Sequence, residues 1–280
     1  MTHCITDPST PISIARGAAR VHMVPAASDN ISWLIEYTPG SVALVDGPSL
    51  RPVLEYCAAQ QLTVTHVINT HTHGDHIGVN HGLKRNWGDL SCALSDQLEV
   101  WGGARVAEEI PHLTRPLSEG DRCTLGPLQG VVWLTEGHLD GHISLFFWAD
   151  TEDDRPAEGD QAALFCGDTL FAAGCGRLFD GPAEKMHQSL QRLCALPSDT
   201  LVFPAHEYTQ DNLRFACHIA PNDEAIVERL REVDEVRAQG RSTLPSDVAL
   251  ERSTNLFFRA PSVERFAELR ALKDRGVHRA

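Results

Sequence analysis

Residues 71–76 read His-Thr-His-Gly-Asp-His and follow the apolar, β-branched run Val-Thr-His-Val-Ile-Asn-Thr. Four strong metal ligands therefore fall within six positions, just where a buried strand runs out. Side chains alternate along a strand, so His71 and His73 can point the same way. Asp75 and His76 come after Gly74 turns the chain, and can serve a second ion close to the first. A structural tetrahedral site closes with four protein ligands, whereas a catalytic site leaves a position open for water. A chain that needed no metal would have little reason to crowd three His and an Asp at a strand end.

Three more ligand candidates end apolar strands. His138 lies in Thr-Glu-Gly-His-Leu-Asp-Gly-His-Ile-Ser, Asp168 in Leu-Phe-Cys-Gly-Asp-Thr-Leu-Phe, and His206 in Val-Phe-Pro-Ala-His-Glu-Tyr-Thr. Taken singly, each has a plainer reading: a satisfied loop histidine, or an aspartate capping a turn or helix. Taken together, strand ends on one edge of a sheet converge on one crevice. Five or more ligands in one place suggest two ions and a trapped water. His142 fits either a partner behind the ligands or an ordinary histidine at a strand start.

The elements that must deliver these side chains can be read from periodicity. Segments 21–24 and 31–37 pair as strands with 26–30 turning between them; 41–45 is another strand, ending at Asp46-Gly47-Pro48. Segment 50–61 has helical spacing, and 64–70 is the strand that brings in the ligand cluster. A helix is expected over 78–87, then short strands at 91–95, 131–135, 143–148 and 163–167. Residues 150–162 hold six acids and one Arg, a solvated loop between two strands. A helix follows at 184–195 and a last strand at 201–204. From His206 on, 211–219, 223–239 and 263–273 carry helical patterns and no strand pattern. Strands, then mixed elements, then helices alone predict an α/β sandwich with a helical C-terminal domain. The expected division is 1–206 and 207–280, with 1–20 an extension that packs late or frays.

Composition narrows the function classes. The chain has 280 residues, of which 42% are apolar and 22% charged, ordinary values for a soluble globular protein. A net charge of −14, with no basic run, argues against nucleic acid or an anionic membrane as partner. No apolar stretch approaches the roughly 18 residues of a membrane span. The opening Met-Thr-His-Cys-Ile-Thr-Asp-Pro lacks the basic start and apolar run of a signal peptide, so a cytoplasmic location is expected; a monomer is expected as well. Eight cysteines occur without a Cys-x-x-Cys pair, which reads as scattered reduced thiols. An anionic substrate would need a local cationic patch.

The His-x-His-x-Asp-His motif with a later His, Asp and His resembles the metallo-β-lactamase superfamily. Two longer segments are more specific. Phe-Cys-Gly-Asp-Thr-Leu-Phe-Ala-Ala-Gly-Cys-Gly-Arg-Leu-Phe-Asp-Gly at 165–181 and Pro-Ala-His-Glu-Tyr-Thr-Gln-Asp-Asn-Leu-Arg-Phe-Ala at 204–216 resemble the glyoxalase II family, the hydroxyacylglutathione hydrolases. Phe-Ala-Glu-Leu-Arg-Ala-Leu-Lys-Asp-Arg at 266–275 resembles the last helix of the bacterial members. The resemblance covers roughly residues 21–275.

It implies an αββα sandwich with an α-helical C-terminal domain, and two divalent metal ions, Zn first, with Fe or Mn also suited. His71, His73 and His138 would bind one ion; Asp75, His76 and His206 the other; Asp168 would bridge them. The implied reaction is hydrolysis of S-(2-hydroxyacyl)glutathione, S-D-lactoylglutathione above all, by hydroxide held between the ions. Asp168 would orient that hydroxide, and Asp75 joins it in the catalytic set. Arg177, Phe179, His206, Tyr208, Arg270 and Lys273 would meet the glutathione, with Arg270 and Lys273 on one helical face. Some members carry Tyr where Phe179 stands. Glu136, Leu139 and Asp140 stand in place of a more usual Thr-Pro-Gly-His-Thr pattern, and Ala27 and Ser28 precede Asp-Asn. Other readings of the same fold are a persulfide dioxygenase, a lactonase or a β-lactamase.

Overall fold

A computed structural model describes residues 3–150, 155–156 and 159–279. Two mixed sheets lie face to face. The first is built in chain order from β1 (Ile12–Ile14), β2 (Ala19–Ala26), β3 (Asn30–Thr38) and β4 (Ser41–Val45). Helix α1 (Leu50–Gln60) then crosses over to β5 (Thr63–Asn69). The ligand turn α2 (Gly74–Ile77) leads on to β6 (Leu94–Gly103) and β7 (Arg115–Leu117). The seven strands are ordered β1 to β7, antiparallel as far as β4 and parallel from β4 onward.

The second sheet takes β8 (Arg122–Leu125), β9 (Leu128–Leu134), β10 (Ile143–Ala149) and β11 (Ala163–Gly167). A small hairpin, β12 (Leu170–Phe171) and β13 (Gly174–Cys175), and helix α3 (Ala183–Cys194) precede β14 (Leu201–Pro204). Helices α4 (Thr209–Ile219) and α5 (Glu224–Ala238), strand β15 (Ser246–Asp247), and helices α6 (Val248–Thr254) and α7 (Val263–Asp274) follow. The sheet order is β15-β14-β11-β10-β9-β8, with β11 and β14 parallel.

Strand alternation explains the layers. On β3, Ile31, Trp33 and Ile35 face the core between the sheets, while Leu34 faces α1. On β11, Ala163 and Phe165 face inward and Leu164 and Cys166 outward, under α3 and α7. Strands buried on both faces read as continuous apolar runs, which is why these segments are so legible. Asp223, Asp247 and Ser262 cap α5, α6 and α7 by accepting from backbone N–H groups.

Several expectations need correction. The stretch before β2 does not fray. Ile5, Ile14 and Ala15 are buried, β1 pairs with β2, and the Cys4 N–H donates to Ser28 O; a three-residue strand is too short to show a period. No helix runs over 78–87. The helical turn falls earlier, on Gly74–Ile77, and only a 3₁₀ turn, Asn80–Gly82, follows. Asn80 is buried there, bonded to Asn69 and to the Pro111 carbonyl, which holds the chain in an irregular path. The strand placed at 91–95 starts at Leu94, because Gly88–Ala93 forms a 3₁₀ turn. Within 150–162, residues 151–154 and 157–158 lie outside the described residues, but Asp160 and Ala162 are buried. The part after His206 is not helices alone, since β15 adds an antiparallel strand to β14.

Candidate metal centre

The ligand candidates sit where strands end. Strand β5 delivers His71 and His73, and β9, β11 and β14 deliver His138, Asp168 and His206 to the same edge. The turn after β11 needs glycine: Gly167 has φ +46°, and a Cβ there would lie 2.3 Å from Thr70 Oγ1. Gly176 likewise lets the backbone pass Asp168, whose carbonyl oxygen would sit 2.0 Å from an added Cβ.

Two groups form. In the first, His73 Nδ1 lies 3.1 Å from His71 Nε2 and 3.0 Å from His138 Nε2, and His138 Nε2 lies 3.5 Å from Asp168 Oδ2. In the second, His206 Nε2 is 3.4 Å from Asp75 Oδ2, and His76 Nε2 is 3.8 Å from the same atom. Asp168 Oδ1 faces this second group, 3.5 Å from both His76 Nε2 and His206 Nε2. The two oxygens of one carboxylate thus address two donor groups.

These donors fit cations. Ligands about 2.0–2.1 Å from a tetrahedral ion stand about 3.3 Å apart, close to the spacing seen. His76 Nε2 and Asp168 Oδ1 are buried and have no hydrogen-bond partner among the described residues, and such orphaned groups call for an explanation. A cation between them supplies one. The charge pattern agrees. Burial pushes His71 well below the usual histidine range, and neighbouring histidines push it further, leaving a neutral ligand. Burial also opposes a charge on His206, but Asp168, Asp29 and Asp75 outweigh it and push its pKa up to about 10. The second group therefore attracts positive charge strongly.

Behind the donors stands a layer that fixes their tautomers. His76 Nδ1 donates to Asp46 Oδ2 (2.9 Å). His71 Nδ1 donates to Thr70 Oγ1 (3.0 Å), which in turn donates to Asp46 (2.6 Å). His206 Nδ1 donates to Asp29 (2.8 Å), His138 Nδ1 to the Arg177 carbonyl (2.9 Å), and Asn30 Nδ2 to Asp75 (2.9 Å). Asp46 also approaches His71 and His76 closely enough to form a third donor group, but its carboxylate is already taken by Thr70 and His76. His142 is fully buried, stacks on His71, and its Nε2 accepts from the Asp168 N–H (3.2 Å). His142 stands out in the sequence beside the ligands, whereas Asp29, Asn30, Asp46 and Thr70 belong to no ligand motif there. Asp46 ends an apolar strand, as the ligands do, so the same signal could have found it.

Two family matches divide the chain at this centre. Residues 30–206 match the metallo-beta-lactamase superfamily, and residues 207–276 match the hydroxyacylglutathione hydrolase C-terminus. A hydroxyacylglutathione hydrolase of Methylococcus capsulatus is 42% identical over 266 residues, covering 90% of this chain and 96% of the relative. One of Prochlorococcus marinus is 39% identical over 267 residues, covering 95% and 97%.

The chain belongs to the hydroxyacylglutathione hydrolase family.

Solved structures agree on the fold. ETHE1 from Myxococcus xanthus superposes with a TM-score of 0.59 at 25% identity, covering 94% of this chain and 89% of that one. The BLEG-1 B3 metallo-beta-lactamase, at 16% identity and a TM-score of 0.57, covers 85% and 99% and shares the fold alone.

In this member of the family a cavity of about 450 Å³ opens on the donors and runs towards the helical segment. Phe179 is 59% exposed at its mouth, edge-on to His73 and His138 at 5.1 and 5.2 Å. Tyr208 stacks on His206 at 4.8 Å and donates to Asp29 (3.2 Å). Burial and the nearby carboxylates hold its phenol well above the usual tyrosine range, so it is a donor and not a base. At the far end Arg270 donates to the Cys175 carbonyl and to Asp274, both at 2.9 Å, and Lys273 to Asp211 at 2.9 Å. Arg177 is exposed, 3.7 Å from Asp274. Asp211 and Asp274 escaped the sequence reading, because surface acids carry no spacing signal. Glu136 and Asp140 turn away from the donors: Glu136 accepts from Arg105 and the Gly141 N–H, and Asp140 accepts from Lys185 (2.5 Å).

Proposed function

We propose that the chain hydrolyses S-(2-hydroxyacyl)glutathione, S-D-lactoylglutathione first, to glutathione and the 2-hydroxy acid, with two divalent ions at the donors. The observation that carries this reading is a single cavity with a doubly facing Asp168 at one end and cations at the other. His71, His73 and His138 would hold one ion, Asp75, His76 and His206 the second, and Asp168 both. Imidazole with carboxylate suits Zn, with Fe and Mn as alternatives. Bound there, the ions would supply Lewis acidity and a hydroxide at neutral pH.

The chain's own residues do the rest. Asp168 has an oxygen on each side of the donor cluster and is placed to orient the attacking water and hold its proton. Asp46, Asp29 and Asn30 keep His76, His206 and Asp75 turned inward, so nothing reorganises as charge develops. Arg177, Arg270 and Lys273 meet the carboxylates of the glutathione, and Tyr208 and Phe179 line its path. The leaving group is a thiolate whose acid has a pKa near 8.5. It can depart with little or no proton donation.

Within this reading, 1–206 carries the chemistry together with Arg177 and Phe179, and 207–280 supplies the remaining substrate contacts. A D-lactate product would suit a role in methylglyoxal detoxification. All eight cysteines are free thiols, which suits a reducing cytoplasm; no helix among the described residues is long and apolar enough to cross a membrane. The test is loss of thioester absorbance of S-D-lactoylglutathione with purified protein, alongside elemental analysis. Rapid turnover with two metals per chain is expected. A metal-loaded protein that leaves the thioester intact would sink the reading.

A further inference from the structure

The residues after α7 fold back onto the substrate cavity. Gly276, at φ +68°, turns the chain, and Val277–Arg279 forms a 3₁₀ turn. This turn is anchored. Val277 packs against the core under α7, and the His278 side chain is 2% exposed, edge-on to Phe215 at 5.5 Å and 3.1 Å from Asp211. The anchor brings Arg279 to the cavity wall, where its Nε and Nη2 donate to Asp211 at 3.0–3.1 Å. Its Nη1 makes no bond among the described residues. Residues 277–279 lie beyond the stretch matched to the family.

The charges around this wall do not balance. Arg177 and Arg270 share Asp274, and Lys273 and Arg279 share Asp211. Four cations set against two carboxylates leave two positive charges for a ligand. Glutathione carries two carboxylates and one ammonium, so its handle is net anionic and has two carboxylates to place. A guanidinium presents five N–H donors in a planar fork, so Arg279 can keep Asp211 on one edge and offer the other to a carboxylate.

We propose that the Val277–Arg279 turn anchors Arg279 in the wall of the substrate cavity and that Arg279 is a specificity-determining residue for the anionic handle of the substrate. The proposal rests on the thioesterase reading for the identity of that handle. Asp211 is the positioning residue that poises Lys273 and Arg279 together.

The test compares wild type, Arg279→Gln, Arg279→Lys and a variant stopping after Gly276. Each is assayed on S-D-lactoylglutathione and on the uncharged thioester S-D-lactoyl-N-acetylcysteamine. R279Q should raise KM for the glutathione thioester roughly fivefold, the scale of one partly exposed charge contact, with kcat unchanged. R279K should recover part of the loss, and the shortened chain should lose at least as much as R279Q. Kinetics on the uncharged thioester should not move. An unchanged KM in both R279Q and the shortened chain, or equal changes on the two thioesters, would overturn the proposal. Equilibrium binding of glutathione itself separates this outcome from failure of the thioesterase reading. Should wild type hydrolyse neither thioester, weaker glutathione binding by R279Q still upholds the wall, and equal binding overturns it.

Discussion

The two ends of the cavity are built on different terms. At the donor end, His71, His76, His138 and His206 are each at most 4% exposed. All four have their second ring nitrogen tied to a neighbour's oxygen or carboxylate, directly or through Thr70. At the cationic end burial is uneven: the Arg270 and Lys273 side chains are 5% and 9% exposed but Arg177 and Arg279 are 66% and 64%, and the two aspartates that hold them are shared. Buried, multiply bonded groups cannot move without leaving partners unsatisfied. Exposed ion pairs exchange easily, because each contributes little. Under the proposed function this contrast implies a division of labour: the donor end would govern the rate of the chemical step, and the cationic end which thioester is held.

That division can be broken most sharply at Asp168. Asp168→Asn keeps the shape but loses the charge that faces both donor groups. The expected result is a loss in kcat on the order of 10²–10³-fold, with less metal retained by elemental analysis. Near-normal kcat would mean that the rate is not set at this end.

One layer further back, Asp46→Asn weakens the hold on both His71 and His76. Metal affinity or kcat should fall roughly 10–100-fold, while KM stays put. Titration against a metal chelator measures the first quantity. A shift confined to KM would contradict the division.

At the cationic end the pattern should invert. Lys273→Met removes a nearly buried ammonium, 9% exposed, that bonds Asp211. A charge-assisted contact of about 1.5–3 kcal/mol predicts a KM about tenfold or more higher, with kcat unchanged. A fall in kcat with KM intact would place Lys273 in the chemistry instead.

The smallest effect concerns acid stability. Burial favours the neutral Asp211 carboxyl, but Arg279, Lys273 and His278 outweigh it and hold Asp211 well below the usual carboxylate range. An acid depressed on folding stabilises the native state above its unfolded pKa, near 3.9, and loses that contribution as pH falls towards the depressed value. Thermal unfolding of wild type and Asp211→Asn should therefore differ by a constant gap from pH 5 to 8. The gap should narrow below about pH 4. A gap that closes already between pH 8 and 5 would assign the stabilisation to another group.

Much of the fold was legible because the sandwich strands are buried on both faces. Segments 41–45 and 163–167 end where the structure ends them, and Asn30–Thr38 and Ile143–Ala149 differ by little. What escaped were elements without a period: β1 with three residues, β15 with two, and the 3₁₀ turns at Asn80–Gly82 and Gly88–Ala93. Their conformations are set by packing partners distant in sequence, such as Pro111 against Asn80. The helix expected over 78–87 failed for the same reason.

That strong ligands end apolar strands, and so must meet at one sheet edge, is written in the order of residues alone. The same order determined which family the chain joins, since Gly-Cys-Gly-Arg and His-Glu-Tyr-Thr are local strings. How Asp168 divides its two oxygens, why Asp46 serves two histidines, and that Asp211 gathers Lys273, His278 and Arg279 follow from the folded chain. Those facts depend on distances between residues tens to hundreds of positions apart, and no local pattern of residue types encodes such distances.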